Sequence, residues 1–132
     1  MNPTSFQAWL NVACERAGDA RHLTPDRPLA AVYMAGYALE CAFKALLNRL
    51  GIALPPYGPE GHNLRALWAA AERRVAALAD RQGHQSWFLM NWSTDLRYAT
   101  ALPTGADAVA LVEAACALLG KLCAVIQNPR RR

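Results

Sequence analysis

The amino-acid sequence predicts an all-α protein: an antiparallel four-helix bundle with an additional short helix in the connection spanning 83–103. Three observations predict it. Alanine supplies 27 of the 132 residues, and alanine favours helix and is poor in strands. Apolar residues recur at three- and four-residue spacings through four long segments, so each segment carries a stripe that needs a neighbour to cover it. The prolines fall at the ends of those segments or between them, where helices stop. Hydrophobic residues make up 54% and charged residues 18%, which excludes intrinsic disorder. The length suits one core without metals or disulfides. Residues 1–128 therefore read as a single domain, and 129–132 as a basic tail.

The first helix is expected from about Ser5 to Asp19. Thr4 and Gln7 stand at capping-box spacing, and Phe6, Trp9, Leu10, Ala13 and Ala17 line one face. Pro25 breaks the chain. The second helix opens with Asp26 or Arg27 as cap and Pro28 in the first turn, and Gly51 stops it. Between Leu29 and Leu47 only Glu40 and Lys44 carry charge, so this helix belongs at the centre, packed on several sides. Ala31, Ala35, Ala38, Ala42 and Ala45 form a stripe of small residues. Val32, Leu39, Phe43, Leu46 and Leu50 form a bulky stripe, and Tyr33, Tyr37, Glu40 and Lys44 a polar one. Residues 51–62 form a loop. A third helix runs from about Asn63 to just before Gly83 and buries Leu64, Leu67, Trp68, Ala71, Val75 and Leu78. Trp87 to Trp92 form a short helical turn, and Ser93 to Leu102 read as irregular. The last helix is expected from Thr104, with Asp107 in its first turn, to just before Pro129. Its core face holds Leu111, Val112, Ala115, Leu118, Leu119, Leu122, Val125 and Ile126.

The net charge of +4 is mostly the tail. Without Arg130, Arg131 and Arg132 the balance is 11 basic against 10 acidic residues, which is not the basic folded face of a typical nucleic-acid-binding domain. With 12 Arg and 2 Lys, the choice of base fits a GC-rich bacterial genome. Cys14, Cys41, Cys116 and Cys123 form no CxxC pair, lie among apolar neighbours and read as buried free thiols in a reducing, cytoplasmic compartment. His22, His62 and His84 make no metal-ligand spacing, so neither metal nor cofactor is expected. No signal peptide is read at the N-terminus. No charge-free apolar run exceeds about 18 residues, so no membrane span is expected.

Chemistry concentrates in a few positions. Glu40 and Lys44 are four apart with the acid first, the favourable order on a helix. A carboxylate in so apolar a helix must be paired and hydrogen-bonded. Arg97 is the natural partner, because its planar fork takes a carboxylate through two bonds; His62 is the second choice. Tyr37, Glu40 and Lys44 on the second helix, His62 on the turn, and Trp92, Arg97 and Tyr98 on the long connection should together line a cleft. Cations for phosphate and rings for base stacking are what a nucleotide needs. The other reading is that the same residues lock the connection onto the bundle.

The block Ala30-Ala31-Val32-Tyr33-Met34-Ala35-Gly36-Tyr37-Ala38-Leu39-Glu40-Cys41-Ala42-Phe43-Lys44-Ala45-Leu46-Leu47 resembles the signature helix of HEPN domains, nucleotide-binding domains shared by higher eukaryotes and prokaryotes. Gly61-His62-Asn63-Leu64 is similar to that family's His-x-Leu turn, Arg97-Tyr98 to its Arg-Tyr element, and a long final helix follows. The resemblance covers about residues 5–127. Many members are ribonucleases that use an Arg, four to six residues and a His on a late helix at a dimer interface. Here the last helix has neither Arg nor His. Arg16 and His22 have the spacing but lie at the end of the first helix and point about 120° apart. Other members are non-catalytic: they bind nucleotides or pair with a small nucleotidyltransferase, often within a toxin–antitoxin module. The resemblance thus implies a non-catalytic homodimer that binds a nucleotide, an RNA phosphate or a partner protein. The alternatives are a ribonuclease with an unconventional site and a purely structural dimerising bundle.

Overall fold

A computed structural model describes residues 4–53, 64–71, 75, 83–103 and 105–128. Among these the chain forms five α-helices, one 3-10 turn and no strand: α1 Phe6–Leu23, α2 Pro28–Arg49, α3 Leu64–Ala71, α4 His84–Asn91, the 3-10 turn Thr94–Tyr98, and α5 Ala108–Gln127. The all-α expectation holds. The loop over 54–62, the third helix beyond Ala71 except for Val75, and the tail 129–132 lie outside the described residues.

Three helix boundaries differ from expectation, each for a local reason. Ser5, not Thr4, caps α1: its hydroxyl accepts from the Ala8 amide at 3.2 Å, which satisfies one of the free donors of the first turn. The same helix runs four residues past Asp19, because nothing between Ala20 and Leu23 opposes it. Asp107 is itself the cap of α5, its carboxylate accepting from the Ala110 amide at 3.2 Å, so the helix starts at Ala108 rather than Thr104. At α2 the cap position is Arg27, whose side chain makes no capping bond; Pro28 at the first position has no N–H to satisfy. Gly51, at φ +71°, ends that helix in the left-handed conformation glycine tolerates.

The second helix is the hub. It packs against α1 most extensively, then α5 and α3. Its alanine stripe, Ala31, Ala35, Ala38, Ala42 and Ala45, is buried throughout, and the small side chains admit close neighbours. Phe43, Leu39 and Leu46 are fully buried beside it, and Trp68 meets Phe43 edge to face at 6.1 Å. The anticipated short helix in the long connection is α4, held by the fully buried Phe88. The stretch after it, expected to be irregular to Leu102, is so only from Ala99 on: Ser93 caps the 3-10 turn, its hydroxyl accepting from the Asp95 amide.

Both α2 and α5 are long and apolar enough to cross a membrane by length and composition, unlike the expectation from charge-free runs. They differ in cover. The most apolar 18-residue window of α2 is 72% buried, that of α5 only 39%.

Candidate functional site

Two groups of side chains stand on α2, centred about two turns apart. The first is closed. Glu40 is 2% exposed and its Oε2 lies 3.0 Å from Lys44 Nζ. Lys44, 11% exposed, also lies 5.0 Å from the centre of the Trp9 ring of α1, a cation–π contact made in a largely desolvated setting. The ammonium is thus held between a carboxylate and an indole face. Around it burial disfavours the ionised forms of Cys41 and Tyr37. Burial pushes the Cys41 thiol up to about 12, with the Glu40 charge adding to the rise and Lys44 and Arg16 opposing it. Burial also raises Tyr37, helped by Cys41, Glu40 and Tyr33 and opposed by Arg16.

This arrangement has a measurable pH signature. A neutral buried thiol contributes stability that is fully present below the unfolded pKa, about 8.5. It is lost as pH rises toward the folded value of about 12. Denaturant midpoints should fall above about pH 9, and Cys41→Ala should flatten that slope. Of the four cysteines expected to be buried only Cys41 is; Cys14 is exposed, and Cys116 and Cys123 are half-buried at the flanks of α5. In native protein near about pH 8, iodoacetamide should therefore modify Cys14 first and Cys41 last, since only the thiolate reacts. Equal labelling rates would contradict the closed arrangement.

The second group lies where the long connection returns to α2. Trp92 is 5% exposed. Its ring stacks on Tyr33 with centroids 5.8 Å apart, and its Nε1 donates to the Tyr33 carbonyl at 3.2 Å. The indole rests on Gly36: a Cβ built there would overlap ring atoms Nε1, Cδ1 and Cε2. Beyond this root the 3-10 turn carries Arg97 and Tyr98 into solvent. Tyr98 is 75% exposed, and the Arg97 guanidinium lies 4.9 Å over its ring. The hydroxyl of Tyr98, and after it that of Tyr33, hold the Arg97 guanidinium above its ordinary pKa.

Of the seven residues expected to line one cleft, the structure therefore joins Glu40 with Lys44, places Tyr37 beside them, and joins Trp92 with the turn bearing Arg97 and Tyr98. It does not bring Lys44 and Arg97 together. The expected Glu40–Arg97 pair is replaced by Glu40–Lys44, because Arg97 lies on the exposed turn and faces tyrosines. His62 lies outside the described residues. Sequence reasoning missed Gly36 as the seat of Trp92 and Trp9 as the cover of Lys44. A glycine within an alanine-rich helix, at about 1 kcal/mol relative to alanine, was the signal available for the first. Family models, curated proteins and solved structures give no match to this chain.

Proposed function

We propose that the chain is a non-catalytic HEPN-type domain, an antiparallel four-helix bundle that acts as a cytoplasmic homodimer and takes a nucleotide or an RNA phosphate at Arg97 and Tyr98. The observation that carries this reading is the exposed Arg97–Tyr98 pair on a turn whose root is fixed by Trp92. A guanidinium offers two parallel donors to phosphate, and a tyrosine face accepts a base without regard to its identity. Catalysis is left out of the proposal because α5 contains neither Arg nor His, so it supplies no acid or base of the ribonuclease type. The resemblance supplies the protein partner this reading expects, a small nucleotidyltransferase of a toxin–antitoxin pair.

Titration with ATP and with a short single-stranded RNA tests it. Saturable binding is expected in the parent protein. It should weaken about tenfold or more in Arg97→Ala, with the melting temperature nearly unchanged, because Arg97 is exposed. Absence of saturable binding in the parent overturns the ligand reading. It would favour the purely structural dimerising bundle, which the uncovered apolar face of α5 supports.

A further inference from the structure

Two cysteines meet where the first helix packs against the last. Arg21 of α1 reaches both Glu113 oxygens of α5 at 3.2 Å, and its charge also acts on Cys116. Seven residues back along α1 stands Cys14, and seven forward along α5 stands Cys123. Seven residues are nearly two whole turns, about 10 Å along the axis, so each pair shares one flank of its helix. With Arg21 beside Cys116, helices running in opposite directions bring Cys14 beside Cys123. That second contact is made: the Cys123 and Cys14 thiols are hydrogen-bonded. Burial raises the Cys123 thiol above its ordinary pKa, and the charge and hydrogen bond of Cys14 add to the rise. A hydrogen bond that favours the protonated form makes Cys123 the donor and the Cys14 sulfur the acceptor. The two differ in access, since Cys14 is exposed and Cys123 half-buried.

We propose that Cys14 and Cys123 are a redox pair, oxidised by a peroxide to a disulfide that fastens α1 to α5. The pair stands apart from the function proposed above and does not depend on it. Cys14, the exposed member, meets the oxidant. Its thiolate attacks one peroxide oxygen: an S–O bond forms, the O–O bond breaks, and the departing hydroxide takes up the thiol proton as water. Cys14 is left as a sulfenic acid. The Cys123 sulfur then attacks the Cys14 sulfur: the S–S bond forms, the S–O bond breaks, and the hydroxyl leaves with the Cys123 proton as a second water. Both sulfurs are oxidised and the peroxide is reduced. A resolving thiol already in contact acts before a second peroxide can carry Cys14 to the sulfinic acid. Neither other cysteine can replace it. Cys41 is fully buried in α2, and Cys116 stands about 10 Å further along α5. The bond closes a loop of roughly 110 residues, from 14 to 123, and so restricts the unfolded chain. In a reducing compartment it would be transient: two small thiols return the dithiol by exchange and leave as their own disulfide.

Treatment of the full, reduced chain with hydrogen peroxide tests the pair. The mass of the parent should fall by that of two hydrogen atoms, and thiols titrated after denaturation should go from four to two. A digest should yield two peptides joined through Cys14 and Cys123. The oxidised protein should run as one chain without reductant, melt several degrees above the reduced form, and revert with dithiothreitol. In Cys123→Ser the sulfenic acid at Cys14 should persist and be trapped by dimedone. Cys14→Ser should form no disulfide, and Cys116→Ser should behave as the parent. A disulfide between two chains overturns the proposal, as does a parent in which Cys14 reaches the sulfinic acid while Cys123 stays free. Dimedone trapped at Cys123 rather than Cys14 overturns the order of the two steps. A joined pair that does not raise the melting temperature overturns the fastening of α1 to α5.

Discussion

Gly36→Ala should destabilise the protein by about 3 kcal/mol, although alanine is the better helix former. The helix propensity gain is about 1 kcal/mol. Against it stands a Cβ placed inside the Trp92 ring. Neither side can give way cheaply: Gly36 is fixed in the middle of the most buried helix, and Trp92 is tied to Tyr33 by a stack and a hydrogen bond. The indole must leave its seat, which forfeits the burial of a large aromatic, about 3–5 kcal/mol by analogy with truncation, and orphans the Tyr33 carbonyl from this donor. For a chain of this size the melting temperature should drop by about 10 °C. Tryptophan emission should shift to the red as Trp92 enters water. Wild-type stability with unchanged emission would show that the ring can be accommodated elsewhere.

Glu40→Ala should cost about 3 kcal/mol or more, because it strands the Lys44 ammonium in a site that is 89% shielded by the fold. Glu40→Gln should cost less, since a side-chain carbonyl still accepts from the ammonium. Removing both charges is a different matter. Glu40→Leu with Lys44→Met should cost less than Glu40→Ala, because the ammonium leaves together with the carboxylate that offset its desolvation. Chemical denaturation of the three variants checks the order. If Glu40→Ala is as stable as the parent, the pair is not a lock.

The helices were legible because burial and propensity agree in them. The stripes of α2 and α5 name most of the residues that the fold buries, Leu111, Leu118 and Leu122 among them; Leu50 and Val125, at the ends of their helices, are only half-buried. Their ends were less legible: Ser5 and Thr4 are equally good caps on paper, and only the direction of the entering chain chooses between them. The candidate site was legible in its members and not in its grouping. Sequence marks Glu40 as a carboxylate that must be paired, but the geometry of the 3-10 turn decides whether Arg97 turns inward or outward, and that turn rests on Trp92 finding Gly36 some 56 positions earlier. No local spacing carries that contact. Lys44 was in plain view at four residues from Glu40; what sequence could not weigh was the Trp9 ring that makes the shorter pairing the buried one.

The order of the helices along the chain has a consequence for how the protein is made. The first two helices are joined by a short turn, Thr24 to Arg27, so their hairpin can close while the ribosome is still working. The surface of α2 that α5 covers has to wait for residue 127. At about 5–20 residues per second the interval from residue 49 to residue 127 lasts roughly 4 to 16 s. Throughout that time one side of the most apolar part of the hairpin faces water, or whatever else binds it. A nascent chain of this kind presents a holdase with a defined window and a defined surface. A message truncated before α5 yields a hairpin whose exposed flank leads to aggregation rather than to a smaller folded unit.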